Sequence, residues 1–291
     1  MFISNFLKRY KKQNFILLLF FVFLIVSTLN PYRLEYFVKF LILPISILVV
    51  VFPVLLKEWK IWLLTSIFLV LNLFFNYLHT SNHLFIATYF SWIVTLILIS
   101  KHDFQDSLRI SSKYLLALVM GMAVVHKITS PEFYSGSFMS FEFLLGLRYF
   151  FPIILLWPNF NSYIEENRSI YTEIFNKNFD EEINYNLVSP GEEFFIFSKV
   201  LSFLTIFYEA IVMLFLLVYP KYRRLTHILL ISFIWFTYLY TNENSFFSML
   251  CILGYVISYE DQKKIRTLYI LTIILMLSMD VIGFRSGFLR Y

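Results

Sequence analysis

Nine times along this chain, a run of apolar residues comes close to the length that crosses a bilayer. The runs cover 14–29, 36–56, 60–78, 83–100, 108–128, 196–219, 225–241, 244–258 and 265–283. About 20 helical residues span the hydrocarbon core, so 14–29 and 244–258 are the short ones. Composition agrees. Charged residues are 15% of the chain, against roughly 25% in an average soluble domain. Hydrophobic residues are 59%, with 36 Phe and 20 Tyr, and the mean hydropathy is +0.72. That leaves too little polar surface to cover a soluble protein of this size, whereas lipid does not penalise exposed rings. The expected fold is all-α: a polytopic transmembrane helical bundle of about nine spans, forming a single domain over 1–291.

The net charge of +5 does not point to nucleic acid. The basic residues sit in short clusters between the apolar runs, as cytoplasmic anchors do, and no basic stripe interleaved with aromatics is left over. Lys8, Arg9, Lys11 and Lys12 precede the first run in the manner of a signal peptide. Ser27-Thr28-Leu29-Asn30 is a poor cleavage site, so the run reads as an uncleaved first helix. Cys251 is the only cysteine and lies inside an apolar run, so no internal disulfide forms.

The run from Leu144 to Trp157 is too short for a span and carries Arg148 and Pro152. It reads as a re-entrant or interfacial segment near 144–157. Charge parity supports this. With the N-terminus cytoplasmic and this run not crossing, 15 of the 24 basic residues face the cytoplasm. If it crossed, Lys221, Arg223, Arg224, Lys263, Lys264 and Arg266 would all move outside, against the positive-inside rule. The C-terminus is then external. The polar stretch 158–195 becomes an acidic outer loop carrying Glu165, Glu166, Glu173, Asp180, Glu181 and Glu182. Its interspersed aromatics fit short helices on the membrane surface; a plain solvated loop is the alternative.

This topology gathers polar residues at one membrane face. His79 ends the third run, Asn82 lies in the adjoining loop, His83 opens the fourth, and His126 and Lys127 end the fifth. Tyr134 follows in the adjoining loop. Ionisable groups at membrane depth are costly unless paired or facing a cavity, so the grouping implies an outward-facing pocket. A lysine held in an apolar pocket works as a general base near neutral pH. A lysine at a span end also serves as a snorkelling anchor. His79 and His83, four apart, would share a helical face and could join His126 on zinc, but Thr80-Ser81-Asn82 reads as a turn, and no metal site is expected. Glu209 lies near the middle of the run 196–219, where a carboxylate is either functional or ties helices together. Nucleotide-binding loops, GxSxG and HExxH are absent from the sequence.

Several stretches share a family pattern. An apolar helix from Tyr114 leads to Lys127-Ile128, a Ser130-Pro131 turn, Phe133 and Gly136. Asn82-His83 opens the fourth run, Tyr208-Glu209 sits in the sixth, and Tyr219-Pro220-Lys221-Tyr222-Arg223-Arg224 and Ser245-Phe246-Phe247-Ser248 follow in order. Together they resemble the HTTM family, the membrane domain shared with vitamin K-dependent gamma-glutamyl carboxylase. The resemblance implies that Lys127 is the base that deprotonates a reduced quinone and that His83 is a second active-site residue. Asn82, His79, His126, Tyr134, Gly136 and Glu209 would support the pocket. The family's late-helix histidine would fall near Trp235, and the only histidine on that run is His227. No counterpart of the carboxylase's large C-terminal domain follows the last run. The size class is that of short bacterial members resembling sporulation-delaying protein B, linked to maturation of an exported peptide toxin. Two functions follow as expectations. One is a carboxylase-like enzyme of the bacterial inner membrane acting on a quinol-like substrate. The other is a non-catalytic membrane partner for an exported peptide or a sister subunit.

Overall fold

The computed structural model describes residues 12–29, 36–75, 82–100, 103–145, 151–176, 188–238, 240 and 244–282. Every regular element among them is helical. In chain order these are α1 (Lys12–Leu29), α2 (Tyr36–Val51), α3 (Trp59–Phe75), α4 (Asn82–Ser100), α5 (Phe104–Thr129), α6 (Pro131–Tyr134), α7 (Ser137–Leu144), α8 (Phe151–Leu156), α9 (Phe160–Asn176), α10 (Glu192–Leu217), α11 (Arg223–Tyr238), α12 (Asn244–Ile257) and α13 (Lys263–Ile282). A 3₁₀ turn, Pro53–Lys57, joins α2 to α3.

Among the described residues, three helices are long and apolar enough to cross a membrane: α4 over His83–Ser100, α5 and α10. They coincide with three of the nine runs. Several other runs form shorter helices. The 14 residues of α12 rise only about 21 Å, less than the hydrocarbon core. Of the segment 144–157, residues 146–150 lie outside the described residues, and α8 is six residues long, too short to cross. The acidic stretch 158–195 is not all loop, because α9 occupies 17 of its residues.

Local sequence explains the helix ends. The Asp103 carboxylate caps α5 by accepting from the amides of Gln105 (2.8 Å) and Asp106 (3.2 Å). Pro131 pushes Ser130 out of the helical region (φ −89, ψ 108) and so stops α5 at Thr129. Gly191, at φ +119, turns the chain into α10, whose first turn carries Glu192 and Glu193 at the favourable end of the helix dipole. Along α5, Ile110, Tyr114, Leu118, Met122 and Val125 form an exposed apolar stripe. A surface of that kind is tolerable against lipid and not against water.

The chain divides into two compact units. The first comprises Met1–Val119, Phe215–Ile231 and Asn244–Phe284. Its centre is Trp62, with Phe20 stacked on it at 5.5 Å and Phe21 edge-on at 4.9 Å. The indole N–H donates to the Leu56 carbonyl at 2.9 Å, which occupies its one polar atom. Between α3 and α4, Ser66 donates to Ser91 at 3.0 Å, a side-chain bond of the kind that ties helices together in lipid. Most of α12 is buried, on all sides. It meets α13 closely at Gly254, where an added Cβ would stand 2.5 Å from the Tyr269 ring.

The second unit comprises Met120–Leu214, Ser232–Glu243 and Arg285–Tyr291. Its core includes Phe133, Phe143, Phe160, Phe194, Leu201 and Tyr240. The buried Asn167 side chain of α9 clasps Val188 through two 2.8 Å bonds, one to its carbonyl and one from its amide. This fixes the chain that enters α10 against α9.

Gly254→Ala forces the buried Tyr269 ring to move. The expected loss is about 1–3 kcal/mol, typical of overpacking, read as a lower midpoint in thermal unfolding of the detergent-solubilised chain.

Candidate functional site

Four contacts align α5–α7 against α10 in the second unit. Gly121 faces the Met213 sulfur, Lys127 reaches Glu209, Tyr134 packs edge-on to Phe203, and Gly136 lies on the backbone of Lys199. Numbers rise on one side as they fall on the other, so the two stretches run antiparallel. Gly136 is required twice over. Its φ is +81, and a Cβ there would stand 2.5 Å from the Lys199 Cα. At Gly121 an added Cβ would be 3.0 Å from the Met213 sulfur. Two glycines therefore bring α5 and the turn after it close to α10.

Lys127 stands two residues before the end of α5. Cα–Cβ bonds tilt toward a helix's own N-terminus, so its side chain leans back along α5 rather than past the helix end. There its ammonium donates to the Glu209 carboxylate in a salt bridge. The lysine side chain is 19% exposed and the glutamate 5%. The ammonium also sits 5.4 Å from the centroid of the Phe133 ring, within cation–π range. The Glu209 Oε2 is buried and has no hydrogen-bond partner among the described residues.

Glu209 is one of a row. Ser198, Ser202, Thr205 and Glu209 follow one another at four, three and four residues, which is one face of α10, and all are buried. Thr205 bonds to the Leu201 carbonyl (2.8 Å) and to the Tyr240 hydroxyl (2.6 Å). Ser202 donates to the Ser198 carbonyl (3.0 Å), and the Ser198 hydroxyl has no partner among the described residues. Beside Glu209, the Tyr208 hydroxyl bonds to Ser232 on α11. The result is a polar stripe on an otherwise apolar helix. Its two unsatisfied atoms, the Glu209 Oε2 and the Ser198 Oγ, can accept from water or from a hydroxyl.

The expected site residues divide between the units. Lys127, Glu209, Gly136 and Tyr134 fall together in the second, with Tyr134 exposed. His126, on the neighbouring position of α5, is exposed and takes no part in the ion pair. His83 belongs to the first unit, where its buried ring meets Phe23 edge-on at 5.9 Å. Asn82 begins α4. His79 lies outside the described residues. Among the described residues no group of His, Cys, Asp and Glu is arranged to hold a metal ion.

The first unit holds a polar assembly that the sequence reading missed. His227 is fully buried, with Nε2 2.9 Å from the Tyr219 hydroxyl and Nδ1 3.0 Å from the Tyr269 hydroxyl. Tyr219 donates its proton to the Ile257 carbonyl at 2.7 Å. Its oxygen therefore accepts from Nε2–H of the neutral ring, and Nδ1 accepts from Tyr269. His227 was legible as an off-pattern histidine; its partners, 8 and 42 residues away, were not.

Comparison with known families, with curated proteins and with solved structures finds no match to this chain.

A double-mutant cycle tests the ion pair. Lys127→Met or Glu209→Gln alone is expected to cost about 3–5 kcal/mol, because each strands a buried polar partner. The double variant is expected to lose clearly less than the sum, measured by chemical unfolding in detergent.

Proposed function

We propose that the chain is an HTTM-type integral membrane protein with carboxylase-like proton chemistry at Lys127, acting on a lipid-soluble, quinol-like substrate. In this reading it crosses a bacterial inner membrane nine times, from a cytoplasmic N-terminus to an external C-terminus. The observation that carries the reading is the reach of Lys127 to a carboxylate sunk in an apolar span, on the same helix face as buried hydroxyls. An intramembrane ion pair of this sort is costly, and function is the default reason to keep one.

The chemistry uses residues of the second unit alone. With the proton of the ion pair resting on Glu209, Lys127 is an amine that accepts a proton from an acidic hydroxyl, leaving the resulting anion beside the ammonium. The buried Phe133 ring lines the apolar side of Nζ, and partial exposure leaves the lysine open to a substrate. A reduced quinone would be held through a hydroxyl on Nζ, and when bound it would supply the acidic O–H. The Ser198–Glu209 face of α10 offers acceptors for a second hydroxyl or for water. His83 is not needed for this reading.

The second reading, a non-catalytic partner for an exported peptide, draws on α9. It presents Glu165 and Glu166 to solvent and is clasped in place through Asn167. A basic peptide would meet that face.

Binding of a reduced naphthoquinone to the full chain in nanodiscs, followed by tryptophan fluorescence, separates the two. Lys127→Met is expected to weaken binding at least about tenfold. No binding by the wild type, or unchanged binding by a destabilised Lys127→Met, would sink the enzyme reading. For the topology, Lys8→Cys is expected to label from the cytoplasmic side and Arg290→Cys from outside. Labelling from the same side would overturn an odd number of spans.

A further inference from the structure

Arg109 on α5 and Arg223 at the start of α11 converge on one ring. Their guanidinium carbons lie 4.2 Å and 4.4 Å from the centroid of Tyr259, in the turn between α12 and α13. Tyr219 stacks on the same ring at 6.2 Å. Three separate chain segments of the first unit thus bring two like charges to one place. Arg266, on α13, lies just behind, held by the Ser258 hydroxyl (3.0 Å) and carbonyl (2.7 Å).

Asp106, Glu260 and Asp261 match the three arginines in number; the excess of positive charge lies in Arg224, Lys263 and Lys264 at the same helix starts. Asp106 pairs with Arg109 from the same helix, and Glu260 and Asp261 stand in the exposed turn beside Tyr259. Arg223 makes no ion pair among the described residues. Helix dipoles add to the excess. The first turns of α11 and α13 contain Arg223, Arg224, Lys263, Lys264 and Arg266 and no acid. A helix N-terminus favours negative charge, so this arrangement is electrostatically unfavourable unless an anion neutralises it.

We infer that Arg109, Arg223 and the Tyr259 ring form a binding site for the phosphate headgroup of an anionic phospholipid. The guanidinium fork matches phosphate oxygens in a way that an ammonium does not, and the ring holds both forks in place. The surface next to the site decides for a lipid over a soluble phosphate. Close by along α5, α11 and α13, Ile110 and Tyr114, Ile228, and Leu268 and Leu271 are exposed. Exposed apolar residues beside a basic cluster suit a phospholipid, whose acyl chains need such a surface, better than a free phosphate. The inference uses no residue of the Lys127 site and stands or falls separately.

The test is a thermal-shift titration of the full chain in neutral detergent. The probes are short-chain phosphatidylglycerol, short-chain phosphatidylcholine and inorganic phosphate. The expected result is stabilisation by phosphatidylglycerol alone. Combining Arg109→Gln with Arg223→Gln should raise the half-saturating lipid concentration at least about tenfold. A charge-matched control, Lys57→Gln with Lys60→Gln, should raise it less than roughly threefold. Equal protection by inorganic phosphate would overturn the lipid assignment. An equal loss in the lysine control would reduce the site to diffuse basic attraction and overturn it as well. If the double arginine variant does not remain folded, Arg223→Gln alone reads the same titration, because Arg223 supports no ion pair. Unchanged affinity in that variant counts against the site.

Discussion

Hydrocarbon offers no hydrogen bonds, and most buried polar atoms in these apolar helices find a partner within the protein. Ser66, Thr88, Thr205 and Thr237 turn their hydroxyls back onto carbonyls four residues earlier, and Ser66 also reaches Ser91 on the neighbouring helix. Trp62 gives its one N–H to Leu56. His227 uses both ring nitrogens on tyrosines. Against this background Glu209 stands out, with one carboxylate oxygen met by Lys127 and the other unmet among the described residues.

Close backbone approach is what makes the ion pair possible. A side chain at Gly136 would push Lys199 away, and one at Gly121 would crowd Met213. The Ser130-Pro131 stop ends α5 two residues after Lys127 and lets the chain continue along α10 as two short helices. Helix termination, a left-handed glycine and a back-leaning lysine act together. Each is a local property of the sequence, yet only their combination delivers an ammonium to a carboxylate 82 positions away.

The helical class and the three long apolar helices were legible from apolar run length. Residues 83–100, 108–128 and 196–219 become α4, α5 and α10 almost as read, because long apolar runs leave a helix few alternatives. The turn at Ser130-Pro131 was visible as well, whereas the left-handed conformation of Gly136 and its approach to Lys199 were not. The pairing of Lys127 with Glu209 was not, since no local pattern encodes which helices adjoin. The polar face Ser198-Ser202-Thr205-Glu209 was readable as helical spacing, but small hydroxyls scattered in an apolar run draw little notice. The length of α9 was missed because its polar, charged composition resembles loop as closely as it resembles a surface helix.

The placement of Cys251 has a kinetic consequence. It is the only thiol in the chain, and it is sealed inside α12 with no solvent contact. A thiol reagent reaches it only when the first unit opens, so the rate of its labelling is a clock for that opening. The chain thus carries an intrinsic reporter of its own breathing. That reporter stays silent in the closed protein and needs no engineered probe.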